Sequence, residues 1–579
     1  MKMKVSEQGV NIDMSAVEKR ILEPVEGHYN LTSYEAARSS FSWDVETQDL
    51  HFRKTGQVNA AYEAIDRHVD EGHGEKTALH YMRGSFRQAL SFQEVRKKTD
   101  HYARVLKESG VEKGDRVAVF LPKTPGCYIA ILSVIKVGAI AVPLFEAFME
   151  DAVKDRLNDC RATVLVSDDE LLQRVPQEKI PSLQTILRVE DIEGRDFDGP
   201  PESPLVEWVD LDDGLIIHYT SGSTGKPKGV LLAHRCVIHH YVTGKWVLDV
   251  RDDDVYWCTS HPGWVTGSVY GLFAPWLNRA TIVIQGDRFD AESWFRAIDE
   301  LKVTVMYSAP TAFRMLLSHE ALLEKHDLSS LRHVLSVGEP LNPEVIYWAW
   351  EKLGLRIHDT WWMTETGGHL IVNLPSENIK PGSMGRPFPG ITAGILDENG
   401  HEVPRGTVGQ LAIQVPWPGL MKEIWGSKER FDAYFKYEGW YLSGDLAYQD
   451  DEGYVFFQSR DDDVINSSGE RVGPFEIESK LIEHPAVGEA GVIGKPDAVR
   501  GEVVKAFVTL RNGYRESEEL LEDIRLFVRN QLAAHSAPRE IEVLAELPKT
   551  VLSGKILRRE LKQLEIDRLN NQTGQAKTA

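Results

Sequence analysis

The apolar positions of this chain fall into short continuous runs that are separated by longer amphipathic stretches. The most apolar region predicts a strand at Arg116–Leu121, a helix at Gly126–Lys136 and a strand at Ala139–Pro143. Strand, helix and strand in this order are typical of a βαβ unit in a parallel sheet. Lysines and prolines interrupt the region before it reaches the roughly 20 apolar residues that a membrane helix needs, so we expect no membrane partner.

The same alternation of strands and helices recurs further along the chain. Helices are predicted at Ala291–Glu300 and Pro343–Leu353, among strands at Ala162–Val166, Ala280–Ile284, Thr304–Tyr307 and His333–Val337. Repeated βαβ order implies layered sheets that helices cover on both faces. The sequence therefore predicts an α/β protein whose large N-terminal domain is built from layered βαβ sheets.

From about Thr392 the pattern changes to short strands separated by turns, among them Asp397–Gly400 and Asp450–Gly453, which predicts a small β-rich subdomain. A dense charged run, Ser459–Val464, follows, and beyond it a new core-forming pattern begins. We therefore place a domain boundary there, with an N-terminal domain at residues 1–460 and a C-terminal domain at residues 461–579.

The C-terminal domain is predicted to be a small α/β module. Strands are expected at Glu489–Gly494 and Val503–Leu510, and Ser517 could cap a helix with one apolar face, formed by Leu520, Leu521, Ile524, Phe527, Val528 and Leu532. The residues from about Asn570 are polar, and we expect a disordered tail there.

Composition narrows the possible functions. The 579 residues include 42% hydrophobic residues and 14 Trp, which excludes general disorder. The formal charge of −22 argues against nucleic acid as a partner. Four widely spaced cysteines form no metal-ligand or disulfide pattern, and residues 1–13 lack the apolar core of a secretory signal, so we expect a cytoplasmic protein.

A Gly-rich stretch, Thr220–Gly229, follows an apolar run and has the composition of a phosphate-binding loop. Glycines let backbone N–H groups approach an anion, while Ser, Thr and Lys add hydroxyl donors and positive charge. The stretch is not a Walker A motif, because Pro227 stands where Ser or Thr would follow Gly225-Lys226. An ordinary surface turn of the same composition is the alternative interpretation.

Four further motifs carry candidate chemistry. Gly338-Glu339-Pro340 follows a predicted strand, at the edge where open α/β sheets bind ligands. Asp359–Gly367 combines paired Trp residues with hydroxyls and a carboxylate, which suit a planar base and a hydrated metal ion. Ser443-Gly444-Asp445 offers a carboxylate for ribose hydroxyls. Pro548–Lys555 is a second Gly/Ser/Lys loop. Taken alone, each motif also has an ordinary structural explanation, such as Trp residues packed in a core, a plain turn between elements, or charged side chains in solvent.

Taken together and in this order, these motifs resemble the acyl-adenylate-forming enzymes and, within them, the AMP-forming acetyl-CoA synthetases. The resemblance extends over roughly Ala60–Leu561. It implies a large domain that holds the nucleotide and the acyl group, followed by a small mobile domain that rotates between two half-reactions. It also implies ATP and CoA as co-substrates, Mg²⁺ as cofactor and acetate as the acid.

The resemblance assigns roles residue by residue. Lys555, Glu365 and Thr220 match catalytic positions, Glu365 the metal position and Asp462 the hinge. The positions that match the ATP and AMP site are Thr220, Ser221, Gly222, Ser223, Thr224, Gly225, Lys226, Lys228, Gly338, Glu339, Pro340, Asp359, Thr360, Trp361, Thr364, Asp445, Arg460 and Arg471. Those that match the acyl pocket are Val265, Thr266, Val337 and Trp362, and those that match the CoA side are Ser468 and Gly469.

Within its motifs, the sequence departs from the family pattern in three places. Ser459 stands where Gly is usual, Glu470 stands where His is common, and the lysine loop has one extra residue at Val551-Leu552. The implied reaction makes acetyl-CoA, AMP and pyrophosphate through acetyl-AMP, and lysine-acetylating and deacetylating enzymes are further partners expected to act on Lys555. The alternatives are a propionyl-CoA or medium-chain acyl-CoA synthetase, an adenylation domain that serves a carrier protein, and an inactive nucleotide-binding regulator.

Overall fold

The computed structural model describes residues 21–197, 205–220, 227–460, 463, 465–467, 470–497, 501–532, 537–549 and 556–576. Its strands form sheets of nine, seven, five and four strands. In chain order they are β1 Thr77–Arg83, β2 Phe86–Ser91, β3 Arg116–Phe120, β4 Ile140–Leu144, β5 Val164–Ser167, β6 Thr185–Arg188, β7 Gly214–Thr220, β8 Lys228–Ala233, β9 Val255–Cys258, β10 Thr281–Gln285, β11 Val305–Ser308, β12 His333–Ser336, β13 Ile357–Trp361, β14 Ile371–Val372, β15 Arg386–Pro387, β16 Ala393–Leu396, β17 Gly409–Gln414, β18 Glu423–Ile424, β19 Trp440–Gln449, β20 Val455–Arg460, β21 Ile465–Ser467, β22 Glu470–Val472, β23 Val487–Asp497, β24 Gly501–Leu510 and β25 Glu540–Val543.

The helices cover the sheets and connect their strands. The α-helices are α1 Tyr34–Ser40, α2 Trp43–Glu46, α3 His51–Thr55, α4 Phe92–Glu108, α5 Pro125–Lys136, α6 Glu150–Cys160, α7 Asp169–Leu172, α8 Val189–Glu193, α9 Cys236–Trp246, α10 Val265–Ser268, α11 Ala274–Leu277, α12 Ala291–Leu301, α13 Pro310–Leu317, α14 Pro343–Leu353, α15 Lys428–Asp432, α16 Pro474–Ile482, α17 Glu518–Gln531 and α18 Arg558–Ala576. Within the described ranges, no helix is both long and apolar enough to cross a membrane.

The seven-stranded sheet has the order β18-β8-β7-β4-β3-β5-β6 and contains the predicted βαβ unit. Strands β3 and β4 are parallel neighbours, and α5 connects them. The helix begins at Pro125, one residue before the predicted start, because proline at the first helical position loses no hydrogen bond. Helix α5 is buried along most of its length, which explains why its sequence is apolar on every face.

The nine-stranded sheet has the order β15-β14-β13-β12-β11-β9-β10-β1-β2. Its central strands from β13 to β1 are parallel, so their carboxyl ends meet at one edge. The predicted helices match α12 and α14 within one residue. One apolar cluster includes residues of both large sheets, and a second covers the other face of the nine-stranded sheet with α12 and α14. The predicted α/β class with layered sheets is confirmed.

The predicted β-rich subdomain is the four-stranded antiparallel sheet β16-β17-β19-β20. The tight turn at Asp450–Gly453 joins β19 to β20, as the sequence predicts. The last strand of this sheet ends at Arg460, and residues 461, 462 and 464 lie outside the described ranges.

After residue 464 the five-stranded sheet, α16 and α17 pack around a separate apolar cluster. Ser517 caps α17 as predicted, since its side chain accepts a hydrogen bond from Leu520 N. Ile524 and Val528 are the buried residues of that helix. Helix α18 continues to Ala576 and so includes residues 570–576, for which the sequence predicts a disordered tail. This segment extends a helix that buried Leu561 packs into the core of the domain, and once a helix is nucleated each added residue gains a further hydrogen bond.

Candidate active site

The Gly-rich stretch connects two antiparallel strands, an arrangement that the sequence pattern does not predict. Strand β7 ends at Thr220, β8 begins at Lys228, and these two residues are paired across the strands. The Thr220 hydroxyl is buried and has no hydrogen-bond partner among the described residues, as is expected of a group that a ligand satisfies. The remaining predicted phosphate-binding positions lie outside the described residues: Ser221, Gly222, Ser223, Thr224, Gly225 and Lys226.

Lys228 and Glu365 form a direct ion pair. The Lys228 Nζ atom lies 2.7 Å from Glu365 Oε1, and the Glu365 side chain is almost fully buried. Tyr434 completes the group, because its hydroxyl donates to Glu365 Oε1 over 2.9 Å and accepts a hydrogen bond from Lys228 Nζ. The Tyr434 ring stacks on Tyr441, with centroids 5.3 Å apart and planes inclined by 5°. The pair therefore places one carboxylate and one ammonium beside the ends of the Gly-rich stretch.

Glu365 is the candidate metal ligand of this site. Across the described ranges, no group of three or more His, Cys, Asp or Glu residues could hold a metal ion. Mg²⁺ often binds through one or two carboxylates, with substrate phosphates and water as its other ligands. A single buried carboxylate beside the Gly-rich stretch fits that donor set, provided that the phosphates of a nucleotide supply further ligands.

The predicted ribose residues lie together on adjacent strands. Asp445 of β19 pairs directly with Arg460 of β20, and Arg460 Nε lies 3.2 Å from Asp445 Oδ1. The indole Nε1 of Trp361 donates to Asp445 Oδ2 over 2.8 Å. Gly444 has a φ angle of +76°, which a residue with a Cβ rarely adopts, and Ser443 Oγ accepts from Asp445 N over 3.0 Å. This local conformation within β19 accompanies the contact between the Asp445 carboxylate and Trp361.

The predicted adenine residues lie at the carboxyl ends of β12 and β13. Ser336 Oγ donates to Asp359 Oδ1 over 2.5 Å, and burial raises the pKa of Asp359 to about 7. Thr360 Oγ1 donates to the carbonyl of Ser336 over 2.7 Å. Thr364 lies in the half-buried turn that follows and leads to Glu365. The segment 359–365 thus connects the candidate adenine side to the ion pair.

Glu339 is held by residues that sequence reasoning missed. Its Oε2 atom accepts from Thr311 Oγ1 over 2.7 Å and from Arg314 Nη2 over 3.1 Å. Gly338, directly before it, has a φ angle of +89°, with nothing within 4 Å of the position where a Cβ would stand. The space beside Gly338 is therefore open, and Pro340 follows it on the same loop before α14.

The four predicted acyl-pocket residues come from three elements. Val265 and Thr266 are half-buried in the short helix α10, while Val337 follows β12 and Trp362 follows β13. Val337 and Trp362 belong to the large apolar cluster, and Val265 packs against it. The Trp362 indole Nε1 donates to the Tyr307 hydroxyl over 3.1 Å.

Most predicted residues after residue 460 lie outside the described residues, namely Asp462, Ser468, Gly469 and Lys555. Arg471 is on β22, opposite Asn466 of β21. The two ends of the lysine loop are described. Lys549 and Ile556 form an antiparallel bridge that closes it, and Lys549 Nζ lies 2.7 Å from Glu489 Oε1.

Tyr434, Thr311 and Arg314 contact predicted site residues, yet they belong to none of the motifs in the sequence. Each approaches its partner from a distant part of the chain: Tyr434 and Glu365 are 69 positions apart, and Thr311 and Glu339 are 28 apart. Neither spacing forms a local motif. The only available signal was that Tyr434 belongs to an aromatic-rich stretch shortly before Ser443-Gly444-Asp445.

The chain is similar to known proteins over most of its length. The sequence profile of the family described as "AMP-binding enzyme" matches residues 65–425, and that of the "AMP-binding enzyme C-terminal domain" matches residues 476–555. A crystal structure of an acyl-CoA synthetase from Brucella canis is 32% identical, covers 93% of this chain and 100% of that chain, and has a TM-score of 0.72. The crystal structure of an anthranilate CoA ligase in complex with anthranoyl-AMP is 30% identical, covers 88% and 97%, and has a TM-score of 0.80.

Curated relatives share most of their length with this chain. The acetyl-coenzyme A synthetase of Bacillus subtilis (strain 168) is 54% identical over 95% of this chain and 98% of its own length. The acetyl-coenzyme A synthetase of Rubrobacter xylanophilus is 41% identical over 88% of this chain and 85% of its own length. The chain therefore belongs to the AMP-binding enzyme family and, within it, to the group of the acetyl-coenzyme A synthetases.

Proposed function

We propose that this protein is an acetate–CoA ligase that converts ATP, acetate and CoA to acetyl-CoA, AMP and pyrophosphate through enzyme-bound acetyl-AMP. The observation that carries the proposal is that two groups of residues lie near each other. One is the Lys228–Glu365 pair beside the Gly-rich stretch, and the other is Asp445 with its partners Trp361 and Arg460. Trp361 and Glu365 are four residues apart, so a nucleotide with its ribose at Asp445 would extend its phosphates toward Lys228. The named relatives support acetate as the acid.

In the first half-reaction, the carboxylate of acetate attacks the α-phosphorus of ATP, the bond to the pyrophosphate oxygen breaks, and pyrophosphate leaves. Two anions must approach each other, so the protein has to supply positive charge and alignment. Lys228, the residues of the Gly-rich stretch and Lys555 have that task. Mg²⁺ held at Glu365 would add further charge neutralisation of the phosphates.

The binding residues fix the geometry of that attack. Asp445, with Arg460 beside it, would accept the ribose hydroxyls, and Asp359, Thr360, Trp361 and the Gly338-Glu339-Pro340 loop would border the adenine. The open space next to Gly338 leaves room for a flat ring. Val265, Thr266, Val337 and Trp362 would enclose the methyl group of acetate.

In the second half-reaction, the thiolate of CoA attacks the acyl carbon of acetyl-AMP, and the bond to the phosphate oxygen breaks to release AMP. No protein nucleophile is needed. We assign the binding and the chemistry of the nucleotide to an N-terminal domain at residues 1–460. A C-terminal domain at residues 461–579 would rotate at Asp462, present Lys555 in the first step, and present Ser468, Gly469 and Arg471 in the second.

A modification of Lys555 is part of the same proposal. Acetylation would remove its charge and so prevent the first half-reaction, which makes lysine-acetylating and deacetylating enzymes the expected regulatory partners. The extra residue at Val551-Leu552 lengthens the loop that such an enzyme would recognise. All four cysteines are free and buried, as is typical of the reducing cytoplasm in which we place the protein.

An ATP–pyrophosphate exchange assay with a panel of carboxylates tests this proposal. We expect exchange with acetate, weaker exchange with propanoate, and little with hexanoate or octanoate, and we expect acetyl-CoA when CoA is added. Preference for hexanoate would show a medium-chain synthetase instead. Absence of exchange with every acid, in protein that still binds ATP, would favour a nucleotide-binding regulator.

A further inference from the structure

The hydroxyl of Tyr307 joins three side chains behind the candidate acyl pocket. Tyr307 is on β11 and is fully buried. Its oxygen lies 3.1 Å from Trp362 Nε1, 2.7 Å from Thr360 Oγ1 and 2.9 Å from His369 Nε2. One hydroxyl has one proton and two lone pairs, so these three contacts use its whole hydrogen-bonding capacity.

The direction of each hydrogen bond follows from the surrounding groups. Thr360 donates its own proton to the Ser336 carbonyl over 2.7 Å, so its oxygen accepts from Tyr307. Nδ1 of His369 has no partner within the described part of the chain, and burial lowers the pKa of His369, which keeps the ring neutral. A proton on Nδ1 would be a buried, unpaired donor, so the proton is on Nε2 and is donated to Tyr307. The Tyr307 oxygen then accepts from His369 and Trp362.

Aromatic contacts with Tyr270 also restrain His369 and Trp362. The rings of Tyr270 and His369 stack with centroids 3.7 Å apart, and Tyr270 meets the edge of Trp362 with centroids 5.0 Å apart. The backbone N of His369 donates to the Tyr270 hydroxyl over 2.7 Å. These contacts hold His369 and Trp362 in place, and the one polar atom of the Trp362 indole is directed at Tyr307.

We propose that Tyr307 is a positioning residue for acyl selectivity: its hydroxyl fixes the orientation of the Trp362 indole and thereby sets the length of acid that the pocket accepts. This inference rests on the proposed ligase function. A Trp indole that is bound only by packing can tilt within its site, whereas an indole whose N–H must reach a fixed acceptor cannot tilt without losing that bond. Loss of the acceptor should therefore let Trp362 tilt and admit a longer chain.

Tyr307→Phe tests the inference, because it removes one oxygen and keeps the ring. We expect the ratio of kcat/KM for butanoate to that for acetate to rise about threefold to tenfold, which is the range that one net hydrogen bond corresponds to. The KM for ATP should change by less than about twofold, since Thr360 keeps its bond to Ser336. The matched control is Tyr256→Phe: Tyr256 is a fully buried tyrosine of neighbouring β9, and its hydroxyl has no partner among the described residues.

A double-mutant cycle separates this role from a general effect on packing. In the background Trp362→Phe, which lacks the indole N–H, Tyr307→Phe should leave the ratio unchanged within about twofold. An equal rise in both backgrounds, an unchanged ratio in the single variant, or loss of the folded state on removal of this one oxygen would overturn the inference. If the wild type forms acetyl-CoA and Tyr307→Phe behaves like the wild type, this inference alone fails. If the wild type activates no acid, the proposed function fails.

Discussion

Replacing Asp445 should weaken the binding of ATP far more than it weakens the fold. The carboxylate is buried, accepts from Trp361 Nε1 over 2.8 Å, and lies 3.2 Å from Arg460 Nε. In the proposed site it also accepts the ribose hydroxyls. A hydrogen bond to a charged group contributes about 1.5–3 kcal/mol, so Asp445→Ala should raise the KM for ATP at least about tenfold. The KM for acetate should change little.

Two further variants separate nucleotide binding from structure. Asp445→Asn keeps an oxygen that can accept from Trp361, so it should preserve the local structure while it loses the charge that the ribose hydroxyls and Arg460 use. It should therefore melt close to the wild type and still show a raised KM for ATP. Asp450→Ala is the matched control, since this carboxylate directly follows β19 and pairs with Lys380 over 2.6 Å.

Steady-state kinetics with varied ATP, together with thermal unfolding, provide the measurement. A folded Asp445→Ala protein whose ATP dependence equals that of the wild type would remove this residue from the nucleotide site. Equal increases in Asp445→Ala and Asp450→Ala would mean that the subdomain has been disturbed as a whole, which would contradict the assigned contact.

Three other substitutions test the remaining parts of the site. Trp362→Gly should raise kcat/KM for longer acids about threefold to fourfold for each added CH₂, because each buried CH₂ contributes about 0.8 kcal/mol. A kcat/KM that does not change with the chain length of the acid would contradict this. Lys555→Ala should lower ATP–pyrophosphate exchange about 10²-fold to 10³-fold and leave the conversion of supplied acetyl-AMP and CoA near the wild-type rate. If neither step is lost, Lys549 would be the catalytic lysine instead. Burial raises the pKa of Asp359 from 3.8 to about 7. Between these two values the folded protein retains a proton that the unfolded chain has lost. The free energy of unfolding should therefore fall as the pH rises from about 4 through about 7. Asp359→Asn should flatten that dependence in calorimetry, and an unchanged slope would refute it.

The hydrophobic pattern predicts the bounds of an element well where both faces of that element are buried. The runs around β3, α5 and β4 are apolar throughout because α5 lies inside the large apolar cluster, and their predicted bounds hold within one residue. The pattern does not specify which distant elements meet. Lys228 and Glu365 are 137 positions apart, and their ion pair depends on where β8 and the turn after β13 come together. The contacts of Tyr307 with Thr360 and His369 join the ends of different elements in the same way.

The ribose site shows most clearly why motifs locate residues without predicting their contacts. Gln449 pairs with Val455 next to the turn, and an unbroken antiparallel register from there would place Asp445 opposite Ser459. The strands instead shift by one residue at Leu446 and Ala447, and this irregularity brings Arg460 opposite Asp445. A shift of one residue moves a side chain to the other face of the sheet, so without it the guanidinium would face away from the carboxylate. The motifs in the sequence identify both residues as site candidates. The register shift between β19 and β20 that brings them together cannot be predicted from the hydrophobic pattern.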